Sequence, residues 1–319
     1  MAITEKYVSS LASGGTGSWA NPWDLSTALT SAVAGDRLNI LDDGTYTVNS
    51  QILASNQGSL TSPIIMRGRT SSDTSAYGSR TNAGPLDTSK MPTIQLNGNQ
   101  YIYLNYYWWV ESINFTGSGS IFINQFSIIK NCVGDIDGSA YNQYIDCDSP
   151  NIGLGGGFGS INGCRISTGS TGIRAWQGII NNCIVFDIGN AVDSGSLFMR
   201  IMNCTLVNPT NNGMEFLSAN SFISISACNI ITGTGQRAHV ALSGTYPLAT
   251  MKERTRDNTL TDSGMTDWKQ DWKSITTDTG GDEQDYIKAS TNDYRLVYTS
   301  PATAKGAFDW NDIGALKAT

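Results

Sequence analysis

The sequence has no excess of basic residues and no long apolar run. Lys and Arg number 20 against 27 Asp and Glu, which gives a formal net charge of −7. Proteins that bind nucleic acid gather basic residues on one face, so this balance argues against a nucleic-acid partner. No segment reaches the ~18 consecutive apolar residues of a membrane-spanning helix, so we expect no membrane partner either.

Two further features are missing. The start, MAITEKYVSS, lacks the apolar segment of a secretory signal peptide, which predicts synthesis in a cytoplasm. The cysteines lack the paired C-x-x-C spacing, with histidine nearby, of a zinc site. We therefore expect reduced thiols that are buried as small apolar side chains, and no resident cofactor.

What the sequence does contain is glycine and a repeat. Glycine accounts for 34 of 319 residues, which predicts frequent turns and few long helices. Strings such as INGCRIS, IINNCIVF and IMNCTLV recur with a mean spacing of about 19 residues, close to the period of solenoid proteins. One position of this repeat holds every cysteine of the chain: Cys132, Cys147, Cys164, Cys183, Cys204 and Cys228.

Within each repeat, apolar residues form three short bursts separated by Gly, Asn, Asp or Ser, which is typical of three short strands. Such a repeat predicts an all-β fold, a single-stranded right-handed parallel β-helix with three short strands per coil. The cysteines would face the interior, and Ile113 takes their position one repeat earlier. Asn182 and Asn203 would lie at the adjoining bend, in the left-handed conformation, with amides bonded from coil to coil.

The ends of a solenoid need covers, because open strand edges pair with other chains. Leu25, Ala28, Leu29 and Ala32 have helical spacing after Asp24, which predicts an N-terminal capping helix. Near the other end, Met265, Trp268, Trp272 and Ile275 would share one face of a short helix. We therefore predict an N-terminal strand and capping helix in 1–35, the β-helix in 36–245, and a helical capping or docking segment in 246–319.

The sequence resembles a known superfamily at both ends. The string KYVSSLASGGTGSWANPWDLSTALTSAVAGDRLNILDDGTYT and the closing DYRLVYTSPATAKGAFDWNDIGA are similar to those of pectate-lyase-like right-handed parallel β-helix proteins. The resemblance implies the fold. It does not select a function, because this superfamily includes lyases, hydrolases, phage tailspikes and structural rods.

The resemblance also implies which residues a catalytic member would need. The aspartate cluster, the histidine between glycines and the Arg-x-Lys strand of the polygalacturonase branch are absent. A lyase would use carboxylates with calcium and an Arg or Lys base, for which Arg165, Arg174 and Arg200 are available. The candidate catalytic carboxylates are Asp135, Asp137, Asp187 and Asp193, and the candidate calcium ligands are Asp146 and Asp148, which flank Cys147 and would face outward together. Solvated aspartates at turns would look the same.

The most conspicuous segment is YIYLNYYWWV, residues 101–110. Alternate residues of a strand face opposite sides, so several of its rings must point outward unless a loop covers them. Exposed rings predict a glycan-binding or subunit contact. The candidates are Tyr101, Tyr103, Tyr106, Tyr107, Trp108 and Trp109.

These features favour a structural virion protein of a bacteriophage, a capsid decoration or surface-fibre protein, over an enzyme. We expect a homotrimer that contacts a capsid or other virion protein. One alternative is a polysaccharide lyase or hydrolase of the tailspike type, acting on cell-surface polysaccharide. The other is a carbohydrate-binding adhesin. The fold supports these alternatives, but the motifs do not.

Overall fold

The computed structural model describes residues 3–70, 85–168 and 171–207, and nine strands beyond residue 207. These residues contain one α-helix, α1, Leu25–Ser31, and a short 3-10 helix, Thr88–Lys90. The strands are β1 Thr4–Val8, β2 Asp36–Asp42, β3 Thr45–Val48, β4 Ile52–Leu53, β5 Ile64–Thr70, β6 Thr93–Leu96, β7 Tyr101–Leu104, β8 Trp108–Glu111, β9 Asn114–Gly117, β10 Ser120–Ile123, β11 Ile128–Lys130, β12 Ile136–Gly138, β13 Gln143–Ile145, β14 Asp148–Ser149, β15 Ile152–Asn162, β16 Arg165–Ser167, β17 Thr171–Asn181, β18 Ile184–Phe186, β19 Asn190–Met202, β20 Thr205–Val207, β21 Asn212–Phe216, β22 Phe222–Ser226, β23 Asn229–Ile231, β24 Arg237–Ala241, β25 Thr255–Arg256, β26 Asn258–Leu260, β27 Trp272–Ser274, β28 Tyr286–Lys288 and β29 Asp293–Leu296.

The chain divides into two compact units. The N-terminal unit comprises residues 1–81 and 85–149, and the C-terminal unit comprises 82–84 and 150–319. The predicted boundaries at residues 35 and 245, which separate the N-terminal cap, the β-helix and the C-terminal segment, stay a prediction.

The N-terminal unit is built from three parallel sheets. Sheet A contains β1, β2, β5, β8, β11 and β13. Sheet B contains β3, β6 and β9, and bridges through Val133 continue it to Asp148. Sheet C contains β4, β7, β10 and β12. The chain visits the three sheets in turn, so it forms the predicted parallel β-helix.

Strand alternation fills the interior of this unit with aliphatic side chains. Ile102 and Leu104 of β7 are completely buried, and Ile121 of β10 lies beside Ile102 in register. Val110 of β8 lies beside Ile129 of β11, and both are completely buried. Each such side chain contributes roughly 1.5–3 kcal/mol by burial, so the column of aliphatic residues is the main source of stability.

The cysteine position is interior, as predicted. Cys132, Cys147, Cys164, Cys183 and Cys204 are all completely buried, whereas Cys228 lies outside the described residues. The thiol of Cys183 donates to the carbonyl of Asn181 at 3.2 Å, and that of Cys204 donates to Met202 at 3.1 Å. These carbonyls lie at the end of a strand just before the bend. Cysteine therefore offers a small apolar side chain that also provides a weak donor to the bend.

The bend next to the cysteines has the predicted left-handed backbone. Asn182 and Asn203 have φ of 53° and 51°, a conformation that Asn tolerates better than most residues. The coil-to-coil amide bonds, however, centre on Asn181 and not on Asn182. The Nδ2 of Asn203 donates to Asn181 Oδ1 at 3.4 Å, and Asn181 Nδ2 donates to Asn162 Oδ1 at 3.3 Å.

The C-terminal unit has longer strands. β15, β17 and β19 are 11, 11 and 13 residues long and pair in parallel. Their register shifts between Leu154 and Phe158 and between Ala175 and Gln177. The first half of β19 continues to β21 and β24, and the second half to β22 and β25. A second parallel sheet runs β16, β18, β20, β23, β26 and β27. β28 and β29 pair antiparallel.

The predicted capping helix is confirmed. Helix α1 begins after Asp24, whose carboxylate accepts from the backbone N–H of Thr27 at 2.9 Å, and it buries Leu25, Ala28 and Leu29. The loop before it covers β1. Tyr7 N–H donates to Gly17 O, Trp23 N–H donates to Tyr7 O, and Ser9 N–H donates to Trp23 O, all within 3.0 Å. This loop satisfies the polar groups on the outer edge of β1.

The predicted helix around Trp272 differs from the structure where the structure describes it. Trp272–Ser274 is strand β27, which pairs in parallel with β26. Met265, Trp268 and Ile275 lie outside the described residues. Trp272 lies at one end of a three-residue strand and fits a helical spacing pattern by coincidence. This coincidence is why the sequence pattern predicted a helix there.

The buried thiols should make the protein less stable at alkaline pH. Burial raises the pKa of the Cys132 and Cys183 thiols well above the ordinary value. The unfolded thiol ionises at about pH 8.5, so above this pH the unfolded state holds fewer protons than the native state. The free energy of unfolding should then fall by up to about 1.4 kcal/mol per pH unit for each thiol, until the native pKa is reached.

Urea unfolding between about pH 7.5 and pH 10 measures this slope. Cys132→Ala and Cys183→Ala combined should be less stable at pH 7.5 but should show a shallower alkaline slope than the wild type. Val185→Ala removes a completely buried side chain without a proton, so it should keep the wild-type slope. Equal slopes in the cysteine variant and the wild type would contradict buried, protonated thiols.

Candidate functional site

The outer face of sheet C carries aromatic and acidic side chains side by side. The inward residues of its strands are aliphatic, so the residues between them face outward. One outward row runs from Leu53 through Tyr103 and Phe122 to Asp137. In the neighbouring row Tyr101 lies beside Ser120. We call this set, with Asp135, the contact face.

Neighbouring contacts hold the rings of the contact face. Tyr101 and Phe122 pack edge to face, with ring centroids 5.5 Å apart and an interplanar angle of 87°. The hydroxyl of Tyr103 accepts from Asn124 Nδ2 at 2.9 Å. Such pairs contribute about 0.5–1.5 kcal/mol beyond their burial, so the rings are fixed before any ligand arrives.

Two of the predicted carboxylates lie on this face. Asp135 and Asp137 flank Ile136, which is completely buried, so both side chains belong to the outer surface. Ser120 Oγ lies 3.1 Å from Asp135 Oδ2 and donates to it, and Asp137 is exposed beside Phe122 in the register. The face therefore combines carboxylate acceptors with aromatic surface.

The bend between sheets C and A holds a stack of three aromatic rings. Tyr107 and Phe126 have centroids 5.2 Å apart at 14°, and Phe126 and Tyr141 have centroids 4.9 Å apart at 9°. Phe126 and Tyr141 are 43% and 47% exposed. We call these three residues the aromatic ladder. Because the rings cover one another's faces, the ladder presents ring edges and two tyrosines to the surface.

The ladder residues adopt a costly backbone conformation. Tyr107, Phe126 and Tyr141 have φ of 60°, 60° and 62°. Left-handed backbone is rare for bulky residues and costs roughly 1–3 kcal/mol each, and glycine or asparagine would avoid most of that cost. Such strain collects at functional sites, so the aromatic side chains at these corners point to a role beyond folding.

The sequence contains a signal for the ladder, which is the constant spacing between its residues and the interior position of each coil. Tyr107, Phe126 and Tyr141 each stand six residues before the interior position of their coil, at Ile113, Cys132 and Cys147. The C-terminal unit carries the same pattern. Six residues before its cysteines stand Phe158, Gln177, Phe198 and Phe222, which align with one another in the strand register.

The row predicted from residues 101–110 is only partly exposed. Tyr101, Tyr103, Tyr106, Tyr107 and Trp109 are half-buried. Trp108 is wrong as a contact residue, since its side chain is 1% exposed and faces the core. It shares the inward parity of the aliphatic residues Ile102, Leu104 and Val110, a pattern that the sequence contains.

Sheet A adds a charged cluster that the sequence did not suggest. The Nε of Arg67 donates to Glu111 Oε2 at 3.0 Å, and Lys130 lies beside Glu111 in the register. On the same side of β8, the Nε1 of Trp109 is buried and has no hydrogen-bond partner in the described part of the chain. The ion pair satisfies Glu111, which is 9% exposed.

The predicted calcium pair has a different geometry from the expected one. Asp146 lies at a bend with φ of 52°, and Asp148 belongs to β14, so the two are not alternate residues of one strand. The carboxylate of Asp148 accepts from the backbone N–H of Leu86 at 2.6 Å. No group of three or more His, Cys, Asp or Glu able to hold a metal occurs among the described residues.

The structure does not gather the remaining candidates into one site. Asp187 is exposed at a bend with φ of 50°. Asp193 lies in β19, where the register places it between Arg174 and Glu215, and its side chain lies outside the described residues.

In the part of the chain that the structure describes, no helix is long and apolar enough to cross a membrane.

Comparison with known proteins identifies the fold. No protein-family model and no curated protein matches the sequence. Among solved structures, the crystal structure of pectate lyase Pel9A matches with a TM-score of 0.64 and 14% identity, over 100% of this chain and 97% of that chain. The fold is a parallel β-helix like that of this structure. A rhamnogalacturonan lyase matches with a TM-score of 0.46 and 13% identity, over 75% and 74% of the two chains.

Calcium binding by Asp146 and Asp148 stays a prediction, and thermal unfolding tests it. Calcium should raise the melting temperature of the wild type, because an ion that binds only the native state stabilises it. Asp146→Asn and Asp148→Asn combined should remove that rise. Asp148→Asn should also lower stability by about 1–2 kcal/mol without calcium, because the bond to Leu86 N–H loses its charge.

The control is Asp135→Asn and Asp137→Asn combined, which removes two carboxylates elsewhere and should keep the calcium response. A wild-type melting temperature that calcium leaves unchanged would end the prediction. A rise that survives in the Asp146 and Asp148 variant would place the ion at another site.

Proposed function

We propose that the protein binds polysaccharide along the contact face and the aromatic ladder. The observation that carries this proposal is the strained and mutually stacked set of rings, two of them exposed, at one corner of successive coils of the unit that also carries the outward carboxylates. Sugar rings present C–H surface that packs on aromatic side chains, and hydroxyls that donate to carboxylates. Tyr101, Phe122 and Asp137 offer both kinds of partner within two neighbouring strands.

The geometry favours an extended chain over a single sugar. The ladder repeats once per coil, at the ~4.8 Å spacing of paired strands, and so offers equivalent contacts to successive units of a polymer. Because Asp135 and Asp137 lie on the same face, a neutral or amino polysaccharide is favoured over an acidic one. An acidic polymer would need a cation between its carboxylates and those of the protein.

The fold likeness agrees with this proposal but does not carry it, because likeness at 14% identity concerns the fold alone. A lyase or hydrolase activity at the same face stays a prediction. Asp135 and Asp137 are its candidate carboxylates, and Asp187 and Asp193 lie elsewhere in the chain.

Affinity electrophoresis against a panel of neutral, amino and acidic polysaccharides tests the binding proposal. Phe122→Ala and Phe126→Ala should each weaken binding about 3- to 10-fold, because each removes one ring contact. Asp137→Asn should weaken binding without changing the shape of the face. Trp19→Ala is the matched control, since Trp19 is 48% exposed and lies outside the face.

Equal retardation of the wild type and both phenylalanine variants would contradict the proposal, as would the absence of retardation by every polymer. Release of shorter sugars from the bound polymer, lost in Asp135→Asn or Asp137→Asn, would extend the proposal from binding to cleavage.

Self-association in a virion remains the second candidate, and one observation favours it. Leu53 is 52% exposed at the edge of the contact face, beside Tyr103, and an apolar residue in such a place suits a protein contact. The bacteriophage origin, the virion location, the trimer and a capsid partner stay predictions on this basis.

Light scattering at low micromolar concentration tests the trimer. The wild type should have three times the 34.2 kDa mass of one chain, and Leu53→Asp should lower it by placing a charge in the contact. Leu60→Asp, at a position that is 84% exposed, should keep the wild-type mass. A monomeric wild type would contradict a trimer that forms in solution.

A further inference from the structure

A cleft lies near the N-terminus, on the opposite side of β4 from the contact-face residue Leu53. It is a cleft of about 260 Å³ between the segment after β1, the first residues of α1 and strands β3 and β4. It shares no residue with the contact face or the aromatic ladder. Its volume is below the ~300–1,000 Å³ of pockets for drug-sized ligands, so its occupant must be small.

The floor of the cleft is apolar. Tyr46, Val48 and Ile52 line it and are 4%, 3% and 8% exposed. The hydroxyl of Tyr46 donates to the carbonyls of Val8 and Leu41, each at 2.8 Å. Because that hydroxyl is already used, Tyr46 closes the floor and offers no donor to the cleft.

The walls are lined with hydroxyl and amide groups. Ser9 Oγ accepts from the backbone N–H of Leu11 at 3.1 Å, which leaves its own hydrogen to donate. Asn49 Oδ1 accepts from Asn97 Nδ2 at 2.8 Å, which leaves the Asn49 amino group. Ser26, Thr47 and Ser50 line the rim and are exposed.

One of these groups lacks a partner. Ser10 Oγ is buried and has no hydrogen-bond partner in the described part of the chain. A Cβ at Gly44 would lie 2.5 Å from this oxygen, so glycine at that position leaves room for the hydroxyl. A buried polar atom without a partner costs about 1–3 kcal/mol, and because this oxygen is covered, the groups that can reach a ligand are the exposed ones of the rim.

The charge of the cleft selects against anions. Burial raises the pKa of Asp24, but hydrogen bonds from Thr27 and Gly14 outweigh it and hold the pKa below the ordinary value. Asp24 is therefore a carboxylate at neutral pH. The lining contains no Lys, Arg or His, so an anionic ligand would meet a negative charge with no positive one.

From this lining we infer that the cleft binds a single neutral sugar ring. The exposed hydroxyl and amide groups of the rim, with the Asp24 carboxylate, fit the hydroxyls of such a ring, and the closed apolar floor limits the depth of the cleft. This inference does not depend on polysaccharide binding at the contact face. It assigns the protein a separate site for a small neutral polyol.

Saturation-transfer NMR on the full chain tests the inference with glucose, N-acetylglucosamine and glucuronate as probes. Glucose or N-acetylglucosamine should receive saturation, and glucuronate should receive less because of Asp24. Asn49→Ala should weaken binding of the neutral sugar about 2- to 10-fold by removing an exposed amino group that lines the cleft. Ser26→Phe should abolish binding by filling the cleft.

Ser31→Phe is the matched control, because Ser31 is an exposed serine of the same helix that does not line the cleft. It should bind the sugar like the wild type, and so should Phe126→Ala. Ser26→Phe should in turn keep polysaccharide binding, which separates the two sites. No saturation of either neutral sugar, a signal that survives in Ser26→Phe, or equal binding of glucuronate would overturn the inference.

Discussion

The corners of successive coils must coincide, because parallel strands bond residue by residue to their equivalents above and below. Ser112, Asn131 and Asp146 form one such corner of the N-terminal unit, all with left-handed backbone. Once the corners are aligned, every other position of the repeat is aligned as well. The interior thiols and the aromatic ladder therefore follow the same register. Each ladder residue stands six residues before an interior position of the repeat.

The two kinds of corner are occupied by very different residues. The corner beside the thiols uses Ser, Asn and Asp, which accept left-handed backbone at low cost. The other corner uses Tyr107, Phe126 and Tyr141, for which that backbone is expensive. Ring stacking at 4.9 and 5.2 Å offsets part of the strain. Folding alone would favour the cheaper residues at both corners, so the aromatic corner is the feature on which the proposed polysaccharide binding rests.

The parts of the structure that repeat or depend on neighbouring residues could be predicted from the sequence. The buried cysteines, the left-handed Asn182 and Asn203 and the helix after Asp24 are of this kind. The aromatic ladder does not show in residues 101–110 alone, because its signal is a six-residue offset that repeats in later coils. Asp148 could not be placed, because its partner Leu86 is 62 residues away in the chain. The cleft unites three segments that no local pattern connects.

The loop that bonds to Tyr7 and Ser9 also opposes end-to-end association of the protein through β1. The terminal strand of a stack of coils has unpaired backbone groups, which can pair with a strand of another chain, as in a fibril. Here these groups are occupied by the chain's own residues, Gly17 and Trp23, so end-to-end growth at this terminus must first displace them. A proteolytic cut that released this loop would leave the outer edge of β1 open to pairing with a strand of another chain.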